Sequence, residues 1–274
     1  MPHKINIAGV QFDPIGYEDV LTAVEVFVKQ EGGQHMIVTP NPEMLVEANR
    51  KPKFKVILNS ASISVPDGIG ILWAAYYSSL PRSKFKVLEG FRVIKSLFKV
   101  LFKSKEIYKI LPQRVTGSDL LFRIVEESQK HHWRIYLLGA APGVGDVAIE
   151  KLLKKYPQAI FAGSFAGTPA ITHEEDLCER INQAQAEILF VAYGSPAQEE
   201  WIHRNLKKMP TVKVAIGVGG AIDFAAGRAK RAPKFMQKLG LEWLWRLMLQ
   251  PRRLKRIWTA TVTFVRMIRR MKMN

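Results

Sequence analysis

Ser64-Val65-Pro66-Asp67-Gly68-Ile69-Gly70 is the stretch on which the reading of this chain turns. Val56-Ile57-Leu58, then Ile63 and Val65, lead into it as a strand, and Ile71-Leu72-Trp73-Ala74-Ala75-Tyr76-Tyr77 leaves it as a helix. Strand, tight turn and helix set the turn's side chains at the carboxyl edge of a parallel sheet, where α/β proteins bind ligands. Pro66 fixes its own φ, and the two glycines let backbone come close to a ligand. Asp67 sits between them with two readings open. It caps the helix that follows, or it is a catalytic base.

Outward from this turn the same alternation repeats. Lys4–Phe12 reads as a first strand and Tyr17–Gln30 as a helix, with apolar residues at 20, 21, 24, 27 and 28. Met36–Thr39 is a short strand running into Pro40-Asn41-Pro42, whose prolines hold Asn41 in an extended turn. Glu43–Arg50 is a helix with Pro42 near its first position. Downstream, the spacing predicts helices over 119–131, 146–156 and 172–184, the last with a Thr172/Glu175 capping box. Strands fall at 134–139, 159–165, 188–193 and 212–216. This order predicts a Rossmann-like α/β fold, with a mainly parallel sheet and helices on both faces.

Charge divides the chain. The formal net charge of the 274 residues is +17. Residues 82–114 hold ten Lys/Arg against two Glu, and residues 226–274 hold fourteen against Glu242 alone. These segments exceed the whole net charge and leave the rest mildly acidic. In the first, Arg92, Lys95, Lys99 and Lys103 form one helical stripe, and Phe91, Ile94, Leu97, Phe98 and Leu101 cover the other side. In the second, Trp243, Leu244, Trp245 and Leu247, then Ile257, Trp258, Phe264 and Ile268, alternate with Arg and Lys around Pro251. The expected division is an α/β domain over 1–225, with a basic amphipathic insertion near 82–113, and a helical appendage over 226–274. Basic amphipathic helices with bulky apolar residues suit an anionic membrane surface. A nucleic-acid-binding α/β protein is the alternative. The interleaved Trp, Leu and Phe count against it.

No apolar run reaches the length of a spanning helix, and Met1-Pro2-His3-Lys4-Ile5 does not open a signal peptide. The single cysteine, Cys178, excludes an intrachain disulfide and fits a reducing compartment. The six histidines form no ligand pattern, so metal dependence is not expected. Glycine turns at 139–145, 194–196 and 217–220 follow strands and suggest a phosphate or nucleotide site. They match neither the P-loop nor the G-x-G-x-x-G spacing. A nucleotide-sugar transferase needs a base for a hydroxyl and cations for a departing diphosphate. Asp67 and Arg114 are candidates for those roles. Thr39, Asn41 and Gln198 offer neutral hydrogen-bonding groups at strand ends, each with a competing reading as a turn or cap residue.

Taken together, these stretches resemble the WecG/TagA/CpsF glycosyltransferases (glycosyltransferase family 26). The resemblance is carried by Thr39-Pro40-Asn41-Pro42-Glu43-Met44, Val65-Pro66-Asp67-Gly68-Ile69-Gly70 and Arg114-Val115-Thr116-Gly117-Ser118-Asp119-Leu120. It continues through Leu137-Leu138-Gly139, Gly194-Ser195-Pro196 with Gln198, Glu199 and Trp201, and Gly217-Val218-Gly219-Gly220 with Asp223. Arg231-Ala232-Pro233 and Gly240-Leu241-Glu242-Trp243-Leu244 with Arg246 close it. The order is kept from about residue 36 to 256.

The resemblance implies an inverting, metal-independent transferase without cofactor. It would move N-acetylmannosamine, or its uronic acid, from a UDP-sugar to polyprenyl-diphosphate-linked N-acetylglucosamine. The product would feed teichoic acid, exopolysaccharide or related cell-surface polymers, made at the cytoplasmic face of the membrane by a peripheral enzyme. No nucleic acid is implied as partner, and a homo-oligomer is allowed. The family's base falls on Asp67, and its substrate contacts on Thr39, Asn41, Arg114 and Gln198. Its diphosphate-binding arginines fall on Arg246, Arg253 and Arg256. Ala197 stands where members usually carry a basic residue, and Ile222 where they carry an aromatic. Residues 82–113 exceed the family's usual length.

Overall fold

The computed structural model describes residues 3–82, 85–101, 105–230, 232–233, 236, 242–249 and 254–273. Its centre is a six-stranded sheet made of β3 (His35–Val38), β4 (Ile63–Ser64), β5 (Arg134–Gly139), β6 (Ile160–Phe165), β7 (Ile188–Ala192) and β8 (Val214–Gly217). The spatial order is β4-β3-β8-β7-β5-β6, and every pairing is parallel. Successive residues of one strand feed opposite helical layers, as the pleat requires. Met36 and Val38 join one core, and Ile37 joins the other.

The first layer holds α2 (Pro42–Arg50), α3 (Pro52–Asn59), α4 (Ile69–Ser79), α8 (Glu174–Gln183) and α9 (Ala197–Asn205). The second holds α1 (Tyr17–Lys29), α6 (Gly117–His131), α7 (Val144–Lys155) and α10 (Ala221–Ala225). This is the expected α/β architecture.

Three local readings are corrected. Val56-Ile57-Leu58 is helix, not strand. Pro52 opens α3, and Phe54 and Leu58, four residues apart, are the buried face, while Val56 is 64% exposed. A run of three apolar residues cannot by itself separate the two periods. Lys4–Phe12 is not one strand but a hairpin, β1 (Ile5–Ile7) and β2 (Val10–Phe12), antiparallel and apart from the main sheet. Ala8 and Gly9 both take positive φ at its turn, the two-residue geometry that matches strand twist. The Thr172 capping box does not form either. Residues Ile171–His173 make a 3-10 turn, α8 starts at Glu174, and the Thr172 hydroxyl pairs with His173 Nδ1 at 2.9 Å.

The helix α4 is buried at every position from Ile71 to Tyr77. A helix apolar all round needs cover all round. That cover comes from α5 (Lys86–Leu101), the 3-10 turn Lys105–Lys109, strand β1 of the hairpin and the C-terminal helix. That helix comprises α12 (Leu254–Trp258), a π-turn at Thr259–Thr263 and α13 (Phe264–Met273). It is preceded by α11 (Glu242–Leu249). Phe264 and Ile268 are buried in the same core as α4, and Phe264 meets the Trp73 ring edge-on at 6.2 Å. Lys272 Nζ donates to the Tyr77 carbonyl at 2.5 Å. Among the described residues no helix is long and apolar enough to cross a membrane.

The amphipathic helix α5 turns most of its bulky apolar side outward, the orientation a surface-lying helix is expected to take, and packs by another face. Its buried face is Glu89, Val93 and Ser96, small or polar groups set against α4. Glu89 accepts from the Tyr77 hydroxyl at 2.6 Å, and Ser96 accepts from Trp73 Nε1 at 2.8 Å. Phe91, Ile94 and Phe98 point outward, each more than half exposed, as do Phe85, Val87 and Leu88. Lys99 turns inward and pairs with Glu106 and with the Tyr76 hydroxyl. Lys103 lies outside the described residues.

Candidate active site

The loops after β3 and β4 run side by side. Val65 N–H donates to the Val38 carbonyl at 3.0 Å, and Asp67 N–H to the Pro40 carbonyl at 3.0 Å. Val115 N–H donates to the Pro66 carbonyl at 2.9 Å, which docks the segment after Arg114 on the same turn. Gly68 has φ +99°, a conformation that favours glycine, and it occupies the cap position of α4. Asp67 therefore stands one residue outside that cap, half-buried, at the carboxyl edge of the sheet.

Each neighbouring motif has a physical job. Asn41 caps α2, its Oδ1 accepting from Met44 N–H at 3.0 Å. Thr116 caps α6, its Oγ1 accepting from Asp119 N–H at 3.1 Å and donating to Asp119 Oδ2 at 2.9 Å. Tyr17 Oη accepts from Thr116 N–H at 2.9 Å and donates to Asp119 at 3.1 Å. Burial and the nearby Asp119 push the Tyr17 hydroxyl up to about 12. These bonds tie the start of α6 to the start of α1, and Gly117 lets it approach Gly217 and Thr39 at the ends of β8 and β3.

Gln198 is a clamp. Its Oε1 accepts from Gly194 N–H at 3.1 Å and from Gly219 N–H at 2.9 Å, joining the loops after β7 and β8. Its Nε2 donates to Glu199 Oε1 at 2.6 Å. A Cβ on Gly217 would lie 2.6 Å from that Nε2, so the approach requires glycine. One amide N–H is left to offer a ligand. Glu199 is buried, and desolvation raises its carboxyl to about 7 against the hydrogen bonds from Gln198 and Ser195.

Two cavities open on this edge. The first, about 810 Å³, lies over the strand ends. It is lined by Thr39, Gln198 and the Gly217–Gly220 turn, with Ser118, Arg228 and Lys230. The second, about 660 Å³, lies between α4, α5 and the C-terminal helix. It is lined by Trp73, Leu97, Val100, Ile257, Phe264 and Val265, with Arg114 and Arg266. Asn41, Asp67 and Arg256 belong to both. Arg256 reaches there from α12, with Nε 2.9 and 3.1 Å and Nη2 2.9 Å from the Glu43 carboxylate oxygens.

Thr39, Asn41, Asp67, Gln198 and Arg256 thus converge on one edge, and Arg114 lines the second cavity with Asp67. The Arg246 side chain and Arg253 lie outside the described residues. Two of the three glycine turns, 194–196 and 217–220, contribute to the first cavity; no residue of 139–145 lines it. Arg228 and Lys230 were not among the sequence candidates. By composition they belong to the basic tail, and only the chain's return over α10 brings them to the cavity. Their position a few residues after Asp223 is the signal that could have found them. Among the described residues no three His, Cys, Asp or Glu side chains are grouped as metal ligands. Cys178 is buried in the first core, and burial pushes its thiol up.

The sequence is similar to known glycosyltransferases. The sequence is 31% identical over 221 residues to an N-acetylglucosaminyldiphosphoundecaprenol N-acetyl-beta-D-mannosaminyltransferase of Bacillus spizizenii, covering 81% of this chain and 74% of that protein. It is 28% identical over 255 residues to the protein of the same name in Staphylococcus aureus strain MRSA252, covering 93% and 88%. Residues 5–110 and 99–274 match the Glycosyl transferase WecG/TagA/CpsF family, so nearly the whole chain, both cavities included, is accounted for. The chain belongs to that glycosyltransferase family.

Proposed function

We propose that this glycosyltransferase moves N-acetylmannosamine, or its uronic acid, from a UDP-linked donor to a polyprenyl-diphosphate-linked N-acetylglucosamine. The observation that carries this reading is the meeting of a polar cavity and an apolar one at Asn41, Asp67 and Arg256. A water-soluble nucleotide-sugar suits the first, and an acceptor with a lipid tail suits the second. Only at their junction can the two reacting groups meet.

Asp67 takes the proton from an acceptor hydroxyl. The oxygen attacks the anomeric carbon as the bond to the diphosphate oxygen breaks, and UDP leaves with the bonding electrons. Attack opposite the leaving group inverts that carbon. Arg228 and Lys230 in the donor cavity, and Arg256 at the junction, offset the charge developing on the diphosphate, a role that fixed cations perform in sites shielded from water. Arg246 and Arg253 are assigned the same role from the resemblance. Thr39, Asn41 and the free N–H of Gln198 are proposed sugar contacts, and Arg114 a contact to the acceptor. The cations lining both cavities make a metal unnecessary in this scheme.

The enzyme is proposed to work peripherally at the cytoplasmic face of a membrane, with residues 226–274 as its appendage. The outward apolar residues of α5, and the exposed Leu254, Trp258 and Met271, support that placement. A phosphate-tracking nucleic-acid surface has no use for such side chains.

A UDP-release assay over a panel of UDP-N-acetylhexosamines, with a lipid-diphosphate-linked N-acetylglucosamine acceptor, tests the activity. Acceptor-dependent UDP release with the manno donor is expected. Release that is indifferent to the acceptor, or restricted to another donor class, would overturn it. Turnover that survives thorough chelation is expected; strict dependence on added Mn²⁺ would refute the metal-free scheme.

A further inference from the structure

Tyr17 lines neither cavity, yet its contacts fall on the segment that carries Arg114. It is buried at the first position of α1 and grips that segment at two places. Its backbone N–H donates to Gln113 Oε1 at 2.9 Å. Its hydroxyl accepts from the Thr116 N–H at 2.9 Å and donates to Asp119 Oδ2 at 3.1 Å. Arg114 lies between the two grips. A third bond, from the Val115 N–H to the Pro66 carbonyl at 2.9 Å, ties the same segment to the Asp67 turn.

The residues around Tyr17 fit this contact. Gly16 precedes it, and a Cβ there would lie 2.5 Å from Gln113 Oε1, so the close approach requires glycine. The Arg123 guanidinium covers the Tyr17 ring at 4.3 Å and pairs with Glu18 at 3.0 Å, which fixes the ring's face. Burial keeps the hydroxyl protonated, so it donates and accepts at once. Thr116 is buried and has extended backbone, φ −98° and ψ 142°, at the cap of α6. Its N–H therefore has no place in the helix ladder and takes the Tyr17 oxygen as partner.

The gripped segment also runs from one cavity to the other. Arg114 lines the apolar cavity with Asp67, and Gly117 and Ser118 line the polar one.

We infer that Tyr17 is a positioning residue for Arg114: by holding Gln113 on one side of it and Thr116 on the other, it fixes where Arg114 stands on the apolar cavity and so how the acceptor is seated at Asp67. The inference rests on the reading of Arg114 as an acceptor contact. Tyr17 itself meets no substrate, and its effect reaches the reaction through Arg114.

Tyr17→Phe removes the hydroxyl and keeps the ring. In the full chain it is expected to raise the acceptor KM roughly tenfold, the scale of one hydrogen bond, and to leave the donor KM within about twofold. In an Arg114→Ala background the same change should cost less than about twofold, because residues that act through one another are not additive. An equal cost in both backgrounds would overturn the inference, since Tyr17 would then act without Arg114. Ile124→Val, a buried change on α6, controls for lost stability: it should lower the melting temperature and leave the acceptor KM in place. A matching rise in acceptor KM there would make the effect of Tyr17 merely structural and overturn the inference as well.

Amide hydrogen exchange reads the grip without turnover. Val115 and Thr116 should exchange faster in Tyr17→Phe than in the parent, while β5 keeps the parent's rates. Unchanged exchange at both amides in the folded variant would overturn the inference. Gln113→Ala, at an exposed residue, loosens the other grip and serves if Tyr17→Phe does not fold. Its acceptor KM should rise too, and an unchanged value would then overturn the inference. A parent chain that releases no UDP with acceptor present would refute the proposed function, and the exchange rates would still decide whether Tyr17 holds the Arg114 segment.

Discussion

Arg256 and Glu43 lie 213 residues apart and form a two-pronged ion pair, Nε to Oε1 at 2.9 Å and Nη2 to Oε2 at 2.9 Å. Glu43 is in the first turn of α2, two residues from Asn41, and Arg256 comes from the C-terminal helix. The pair ties the last helix to the loop that follows β3. It also holds Arg256 where the two cavities meet. Half-exposed pairs of this kind contribute no more than about 1 kcal/mol to stability. Their effect lies in geometry.

Glu43→Gln is accordingly expected to lower kcat/KM by roughly tenfold, about 1.4 kcal/mol, with little change in melting temperature. Arg256→Lys should behave alike, because an ammonium cannot span both carboxylate oxygens. Steady-state kinetics beside a thermal melt checks both. Unchanged kinetics in Glu43→Gln, with a dead Arg256→Ala, would show that Arg256 needs no positioning by Glu43.

Asp67→Asn is expected to reduce transfer by about 100-fold or more, the usual contribution of a general base. UDP affinity should be nearly unchanged, since the donor cavity is mostly formed by other residues. Near-normal turnover in that variant would remove Asp67 from the proton transfer.

Gln198→Ala should cost stability before any substrate is added. It leaves the N–H groups of Gly194 and Gly219 without their shared acceptor, at about 1–3 kcal/mol for each group that stays buried. A chemical denaturation midpoint measures the loss. An unshifted midpoint with a raised donor KM would mean that Gln198 acts on the sugar rather than as the clamp.

Glu199 makes stability depend on pH in an unusual direction. Its carboxyl is raised to about 7 in the folded chain from an ordinary 4.5. Between those values the folded state keeps a proton that the unfolded state has released. The stabilising contribution is full below about pH 4.5 and is lost as pH rises through 7. Glu199→Gln should therefore gain stability relative to the parent as pH climbs over that window, by at most about 3 kcal/mol, and level off above it. Denaturation of both proteins across the window decides it; a pH-independent difference would contradict the buried acid's role.

Phe91→Ser combined with Phe98→Ser removes two side chains that are 66% and 54% exposed. Flotation with anionic vesicles should fall several-fold, while the melting temperature stays put. Undiminished flotation would assign membrane contact to the C-terminal helices.

Much of this protein was settled along the chain itself. Alternating apolar strands and amphipathic helices require a parallel sheet with two helical layers, because an amphipathic helix has one face to bury and each strand two; α4, apolar all round, is the exception. The turn at Asp67 and the cap at Asn41 are local chemistry, so their residue types declare them. Tertiary structure decided what depends on distant partners. Val56-Ile57-Leu58 is a helix because Phe54 and Leu58 find a core four residues apart. The bulky side of α5 faces outward, while Glu89 and Ser96 face inward and find Tyr77 and Trp73. Gln198 is a clamp, and Arg228, Lys230 and Arg256 are at the site, only because separate loops and the last helix return to one sheet edge. Periodicity records which face of an element is apolar; it holds no record of what that face will meet.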